Sequence, residues 1–227
     1  MIVGATTLQT IFNAARARSY GIEVETNWQP TPEFNLGANF SVLNARYTNF
    51  KDVPLPFGTS ILVSDPAAAA TVMNGVTISP AGQRRVFAPG YNCTPTPNTG
   101  GPGQPALAFG CDLSGKTVPR SPPWSGSAFA SYRFDLGSSG ALTPFAAVTF
   151  SGGHFEQVFN DPLSKQNAYA KLDLTLTWDY SSKLAVELFG TNVTNEQIQN
   201  LTSYGGIPIQ ANYEPPRMFG LRFTVRN

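Results

Sequence analysis

Side chains able to do chemistry are scarce in this sequence, which has two cysteines, Cys93 and Cys111, and one histidine, His154. The two cysteines could form a disulfide, remain free thiols or ligate a metal, and a zinc site would want further Cys or His nearby. His154 stands in Ser151-Gly152-Gly153-His154-Phe155, where a ligand contact is one reading and a solvated loop residue the commoner one. Arg84 and Arg85 are adjacent and could meet an anionic ligand; such pairs are more often simply solvated. Gly100-Gly101-Pro102-Gly103 lacks the lysine and the strand-to-helix setting of a phosphate cradle. No nucleophile stands near a base and no carboxylate dyad is placed for catalysis. The expectation is a protein that is not an enzyme and holds neither metal nor cofactor.

Whatever these residues do, strands must position them. The composition is 13% charged and 12% aromatic, with 21 Gly and 19 Pro, a balance that favours turns and rings over helix formers. The formal net charge of +1 gives no reason to expect a nucleic-acid partner. Period-two alternation then recurs along the chain. Ile22, Val24, Thr26 and Trp28 alternate with Glu23, Glu25 and Asn27; Phe34 to Val42 follows after a turn at Pro30-Thr31-Pro32. Ala128 to Phe134 turns through Gly137-Ser138-Ser139-Gly140 into a less regular run from Leu142 to Ser151. Leu172 to Tyr180 turns through Ser181-Ser182-Lys183 into Leu184 to Leu188, and Phe219 to Val225 is the last run. That makes about seven strands.

Alternation alone also suits a soluble β-sandwich. Two regularities favour a membrane instead. Short turns alternate with long connections, the longest being 51–119, which is the build of an outer-membrane barrel. Trp28, Phe34, Tyr132, Phe134, Trp178 and Tyr180 all fall beside the short turns, as a periplasmic belt of amphipathic rings would. Lipid cannot satisfy backbone groups, so the sheet must close, and bacterial single-chain barrels have even strand numbers of eight or more. The fold expected is therefore all-β: antiparallel transmembrane strands forming part of a larger outer-membrane β-barrel. A small self-contained eight-strand barrel for adhesion or anchoring, with residues 2 to 12 as the eighth strand, and a secreted β-sandwich binding module are the alternatives. Glu23, Glu25, Arg133, Asp135, Lys171, Asp173, Asp179, Glu187, Arg222 and Arg226 would then face a wet or filled lumen.

The stretch Arg18-Ser19-Tyr20-Gly21-Ile22-Glu23-Val24-Glu25, the segment Val186-Glu187-Leu188-Phe189-Gly190-Thr191-Asn192-Val193-Thr194-Asn195 and the ending Pro216-Arg217-Met218-Phe219-Gly220-Leu221-Arg222-Phe223 resemble the barrel of TonB-dependent receptors. The resemblance implies the last seven strands of a 22-strand barrel located in the outer membrane, in contact with its lipid and lipopolysaccharide. It implies uptake of a scarce nutrient such as a ferric siderophore. The chain 1–227 would be a C-terminal barrel segment with 51–119 as a long extracellular loop. No plug domain or TonB-contacting box is found in it, so contact with the TonB complex would rest on upstream residues. Met1-Ile2-Val3-Gly4-Ala5 lacks a signal-peptide profile, so either Met1 is not the true start or the reading frame is broken. The ending Val225-Arg226-Asn227 lacks the aromatic residue that helps the barrel-assembly machinery recognise the family's last strand.

In an extracellular loop of an exported protein, Cys93 and Cys111 are expected to form a disulfide, with free or metal-binding thiols the alternative. Loop residues Arg84, Arg85, Tyr91, His154, Phe155, Tyr204 and Tyr213 are the candidates for ligand contact.

Overall fold

The computed structural model describes residues 16–54, 60–73, 76–87, 91, 93–97, 107–203 and 210–226. Seven long strands form one antiparallel sheet: β1 (Arg16–Trp28), β2 (Phe34–Asn49), β3 (Trp124–Tyr132), β4 (Ala141–Ser151), β5 (Tyr169–Asp179), β6 (Leu184–Thr191) and β7 (Met218–Val225). Each pairs with its neighbour in chain order, so the sheet is a simple meander. All seven alternating runs are therefore strands of one wall. Residues 2 to 12, the suggested eighth strand, lie outside the described residues.

Register explains how the alternation works. Trp28, Leu36, Ala130, Ala146, Leu174, Gly190 and Phe219 are successive cross-strand partners, as are Phe34 and Tyr132 beside them. Side chains two apart share a face, so the apolar positions of all seven strands fall on the same side. That side is uncovered: Ile22 keeps 74% of its surface exposed and Val225 keeps 75%. A water-soluble sandwich buries this face under a second sheet, and no such layer covers it among the described residues. No helix among them is long and apolar enough to cross a membrane, and the strands themselves are the spanning elements. At about 3.3 Å per residue, the eight steps from Trp124 to Tyr132 cover about 26 Å of strand.

The opposite face carries the charges, and they meet across strands. Arg222 reaches Glu187 at 2.6 Å, while Asp179 lies 3.4 Å from Arg133 and 3.7 Å from Arg226. Phe129 lies flat on this face because its partner is Gly37, where an added Cβ would stand 2.3 Å from the ring. The β3–β4 ladder breaks opposite Pro144, which has no N–H to donate. It resumes in the same register through Phe134–Asp135 against Ala141 and Leu142.

The short connections sit together at one end. Gly140 has φ +86°, and a Cβ there would come 2.0 Å from the Asp179 carbonyl oxygen, so this turn requires glycine. The three long connections, from β2 to β3, β4 to β5 and β6 to β7, lie at the other end. There β2 extends to Asn49 and continues into a buried cluster of Tyr47, Phe50, Val53, Tyr91, Cys93, Cys111, Leu113 and Phe159.

Candidate functional site

The long-loop end is organised by backbone ladders first. Leu113 N–H donates to the Phe50 carbonyl at 2.7 Å, Gly115 N–H to Tyr47 at 2.7 Å and Tyr47 N–H to Lys116 at 3.0 Å, so residues 113–118 return along the extension of β2. Short strands at Val53–Pro54, Cys93–Pro97 and Leu107–Cys111 form a three-stranded sheet in which Cys93 stands directly opposite Cys111. The register brings the two sulfurs together as a disulfide. Cys111 and its neighbour Leu113 have no exposed surface, which puts the bond at the centre of the loop cluster.

The second long connection packs onto the first. Phe159 stacks on Tyr91 with ring centroids 4.8 Å apart, and the Tyr91 hydroxyl lies 3.5 Å from Asp161 Oδ2. Asp161 caps the 3₁₀ turn Pro162–Ser164 by accepting from the N–H groups of Leu163 and Ser164 at 2.9 and 3.3 Å. Asn160 acts like a strand partner: its Oδ1 accepts from Thr117 N–H at 2.7 Å and its Nδ2 donates to the Thr117 carbonyl at 2.9 Å. Lys116 donates to the Phe159 carbonyl at 2.5 Å. Burial pushes its ammonium below the ordinary lysine value, with nearby Asp161 pulling the other way.

One ion pair, Arg120 with the buried Glu156, links all three connections. The Glu156 side chain is 2% exposed; its Oε2 accepts from Arg120 Nε at 2.9 Å and its Oε1 lies 3.1 Å from His154 Nε2. Arg120 also donates to the Asn200 carbonyl at 2.5 Å. A carboxylate this buried is tolerable only when paired, and here the pairing crosses loops. The third connection is held at its base by Asn192, whose Nδ2 donates to the carbonyls of Glu196 and Pro215 at 2.9 and 3.2 Å and whose N–H donates to Asp173 Oδ1 at 2.7 Å.

Against this framework the sequence candidates separate. Arg84 and Arg85 lie on the hairpin Ser60–Ser64 with Gln83–Phe87, where Arg84 Nε is 3.3 Å from Asp65 Oδ2. Tyr91 is buried in the loop cluster. His154, 12% exposed, and half-buried Phe155 line a cavity of about 180 Å³ with Leu43, Thr117 and Ser121. Tyr213 is exposed on Gln210–Tyr213, and Tyr204 lies outside the described residues. Arg120, Glu156, Asp161 and Asn160 were not singled out in the sequence, since ordinary polar residues in loops carry no periodic signal. Among the described residues no group of three or more His, Cys, Asp or Glu converges as a metal site would.

At the short-turn end the six rings are grouped. Phe34 and Tyr132 have centroids 6.2 Å apart, Tyr132 and Phe134 4.6 Å, and Trp178 and Tyr180 5.4 Å. Trp178 Nε1 donates to the Ser139 carbonyl at 2.9 Å, and Trp28 stands exposed on the same face. A second ring group, Phe40, Phe150 and Trp124, occupies the long-loop end of the apolar face with centroids 6.3 Å apart.

A family model described as TonB dependent receptor-like, beta-barrel matches residues 1–195. No curated protein matches the chain. Among solved structures, the ferric yersiniabactin uptake receptor FyuA from Yersinia pestis aligns with a TM-score of 0.62 at 18% identity, over 97% of this chain and 25% of that one. The siderophore receptor PiuA from Acinetobacter baumannii gives 0.55 at 13% identity, over 91% and 21%. The ferripyoverdine receptor of the outer membrane of Pseudomonas aeruginosa gives 0.50 at 18% identity, over 91% and 19%. At these identities the likeness is one of fold, and the chain spans a quarter or less of the length of each.

Proposed function

The chain belongs to the family of TonB-dependent receptor β-barrels of the outer membrane, and from that premise we propose that it forms part of the wall and loop head of a receptor that imports a scarce nutrient such as a ferric siderophore. The observation that supports this most is the division of the molecule into an uncovered apolar wall and a cross-braced polar and aromatic loop head. Such a head can present a fixed surface to a ligand while the wall stays in lipid. The outer strands β1 and β7 each have one unpaired edge among the described residues. In lipid those edges require further strands, which fits a role as one sector of a larger cylinder.

In this reading the loops lie outside the cell, with 51–119 the largest, and the six grouped rings lie at the periplasmic interface. Arg84, Arg85, His154, Phe155, Tyr204 and Tyr213 are the side chains from which ligand contacts would be drawn, while Tyr91 supports them from within. The test is iron uptake by the source cell under iron limitation. Deleting the gene should abolish accumulation of at least one radiolabelled ferric siderophore, and the intact gene should restore it only when TonB is present. Normal uptake of every ferric siderophore the cell uses would remove iron as the cargo. An antibody to 51–119 should detect an outer-membrane band several times larger than this chain; a membrane band of the chain's own size would favour the small barrel.

A further inference from the structure

His154, the chain's only histidine, stands between two acceptors: its Nε2 lies 3.1 Å from Glu156 Oε1 and its Nδ1 3.4 Å from the Gly152 carbonyl oxygen. A neutral imidazole has a single N–H, so one of these oxygens would face a bare ring nitrogen. The imidazolium has two N–H groups and satisfies both. Each element packed around the ring brings its own polar or charged groups. Glu156 is on the same segment, Arg120 comes from the first connection, Arg46 lines the same cavity from β2, and Lys165 is one rung away across the pairing of His154–Phe155 with Lys165–Gln166. The third connection contributes the uncharged Gln199 and Asn200. Arg120, Arg46 and Lys165 are all exposed, so water and salt screen their repulsion. Glu156 is buried and in contact, and its attraction is screened least.

What this ring holds reaches the other two connections. Gln166, the strand partner of His154, accepts from Gln199 N–H through its Oε1 at 2.6 Å, and the adjacent Asn200 carbonyl accepts from Arg120. Arg120 also donates its backbone N–H to the Phe155 carbonyl at 2.9 Å. Its φ is +55°, a left-handed conformation that a residue with a Cβ keeps only where its surroundings fix it. The bond to Glu156 is part of that fixing. A Glu156 side chain that swings away from His154 loosens its hold on Arg120, and a relaxing Arg120 lets go of the third connection.

We propose that His154 is a proton-operated clasp on the loop head: protonated, it fastens Glu156 and through Arg120 holds the three connections together. As pH rises through the range where an imidazole ordinarily titrates, about 6.5, the clasp loses one bond and the head loosens. This rests on the receptor reading given above, which places the loops outside the cell, where the medium sets the pH. The test uses the full-length receptor in mild detergent, unchanged and as H154Q, whose side chain does not titrate. Hydrogen exchange is measured at the N–H groups of Arg120, Glu156 and Gln199 at pH 5.5 and pH 8.0, corrected for the intrinsic pH dependence. In the unchanged protein these groups should exchange at least threefold more slowly at pH 5.5, while the ladders of β3 to β6 keep the same protection at both. H154Q should erase the difference. Glu156→Gln keeps the size of the side chain but removes the charge that holds the imidazolium, and it should erase the difference as well. Heat-modifiable migration on gels reports that each variant retains the barrel, and a variant that loses it is judged by the other. Equal protection at the two pH values in the unchanged protein, or a difference that survives in a folded variant, overturns the clasp. Protease added to intact cells should cut within 51–119; if it does not, the outward placement of the loops fails while the exchange result still judges the clasp.

Discussion

In the loop head, Leu113 and Cys111 have lost all contact with solvent, and in the wall Ile22 and Val225 keep about three quarters of theirs. Both regions are built from antiparallel ladders, and both place apolar side chains on chosen faces. The head turns those side chains toward one another, because water lies outside it and burying them is favourable. The wall turns them outward, because lipid is already as apolar as a core. Polar groups follow the opposite rule. The wall gathers its charges on the other face in pairs such as Glu187 with Arg222, and the head buries Glu156 between Arg120 and His154. The same chain therefore reads its surroundings twice, and exposure of an apolar residue means correct placement in one region and damage in the other.

The sharpest test substitutes leucine in each region. Leu113→Ala leaves a cavity among packed neighbours and should cost the head about 2–5 kcal/mol. Limited proteolysis of residues 91–118 in the intact receptor should speed up while heat-modifiable migration of the barrel stays unchanged. Leu174→Arg works in reverse: an arginine at the middle of the lipid face costs a barrel about 2–4 kcal/mol, read as a lower urea midpoint in lipid vesicles, with proteolysis of the head unaltered. If each substitution loosened both regions equally, wall and head would be one cooperative unit and the comparison would fail.

The wall was legible because its solvent imposes a strict period. Every alternating run became a strand in the expected order, yet the strands are longer than the alternation: β1 begins at Arg16, β2 runs to Asn49 and β3 starts at Trp124. Beyond Ile22 and Val42 the strands leave the apolar layer, so Arg18, Tyr20, Asn44 and Arg46 no longer alternate by hydropathy even though the ladder continues. The head had no such rule behind it. Only the two cysteines, rare and exported, announced their pairing. The clamp joins Arg120 to Glu156 and its near neighbour His154 across 36 residues, and nothing local in a Gly- and Pro-rich connection marks which carboxylate will be buried. The short sheets that carry Arg84 and Cys93 were hidden for the same reason.

Reducing the disulfide separates the regions by a smaller amount. A closed loop of the size between Cys93 and Cys111 is worth up to roughly 3 kcal/mol by chain entropy. A reductant, or the C93A/C111A pair, should raise hydrogen exchange in 107–118 and leave the ladders of β3 to β6 protected. Exchange that rises equally in the strands would mean that the head sets the stability of the wall.

The smallest effect is expected from Asp112, which lies beside the disulfide but at the head's surface. The Ser114 hydroxyl, followed by its N–H at 2.9 Å, holds this carboxyl below the usual aspartate range, and the same Ser114 Oγ accepts from Phe50 N–H at 3.1 Å. A group whose pKa is lower in the folded state contributes stability above its unfolded value, about 3.9, and loses it as pH falls through the folded value. Because Asp112 is exposed, solvent screens most of this contribution. Hydrogen exchange at Phe50 and Ser114, corrected for its intrinsic pH dependence, should therefore show slightly less protection at pH 3 than at pH 6. Asp112→Asn should flatten that difference and leave the wall strands unaltered. An equal loss of protection at low pH in the Asn variant would trace the acid sensitivity to another carboxylate, with buried Glu156 the next to substitute.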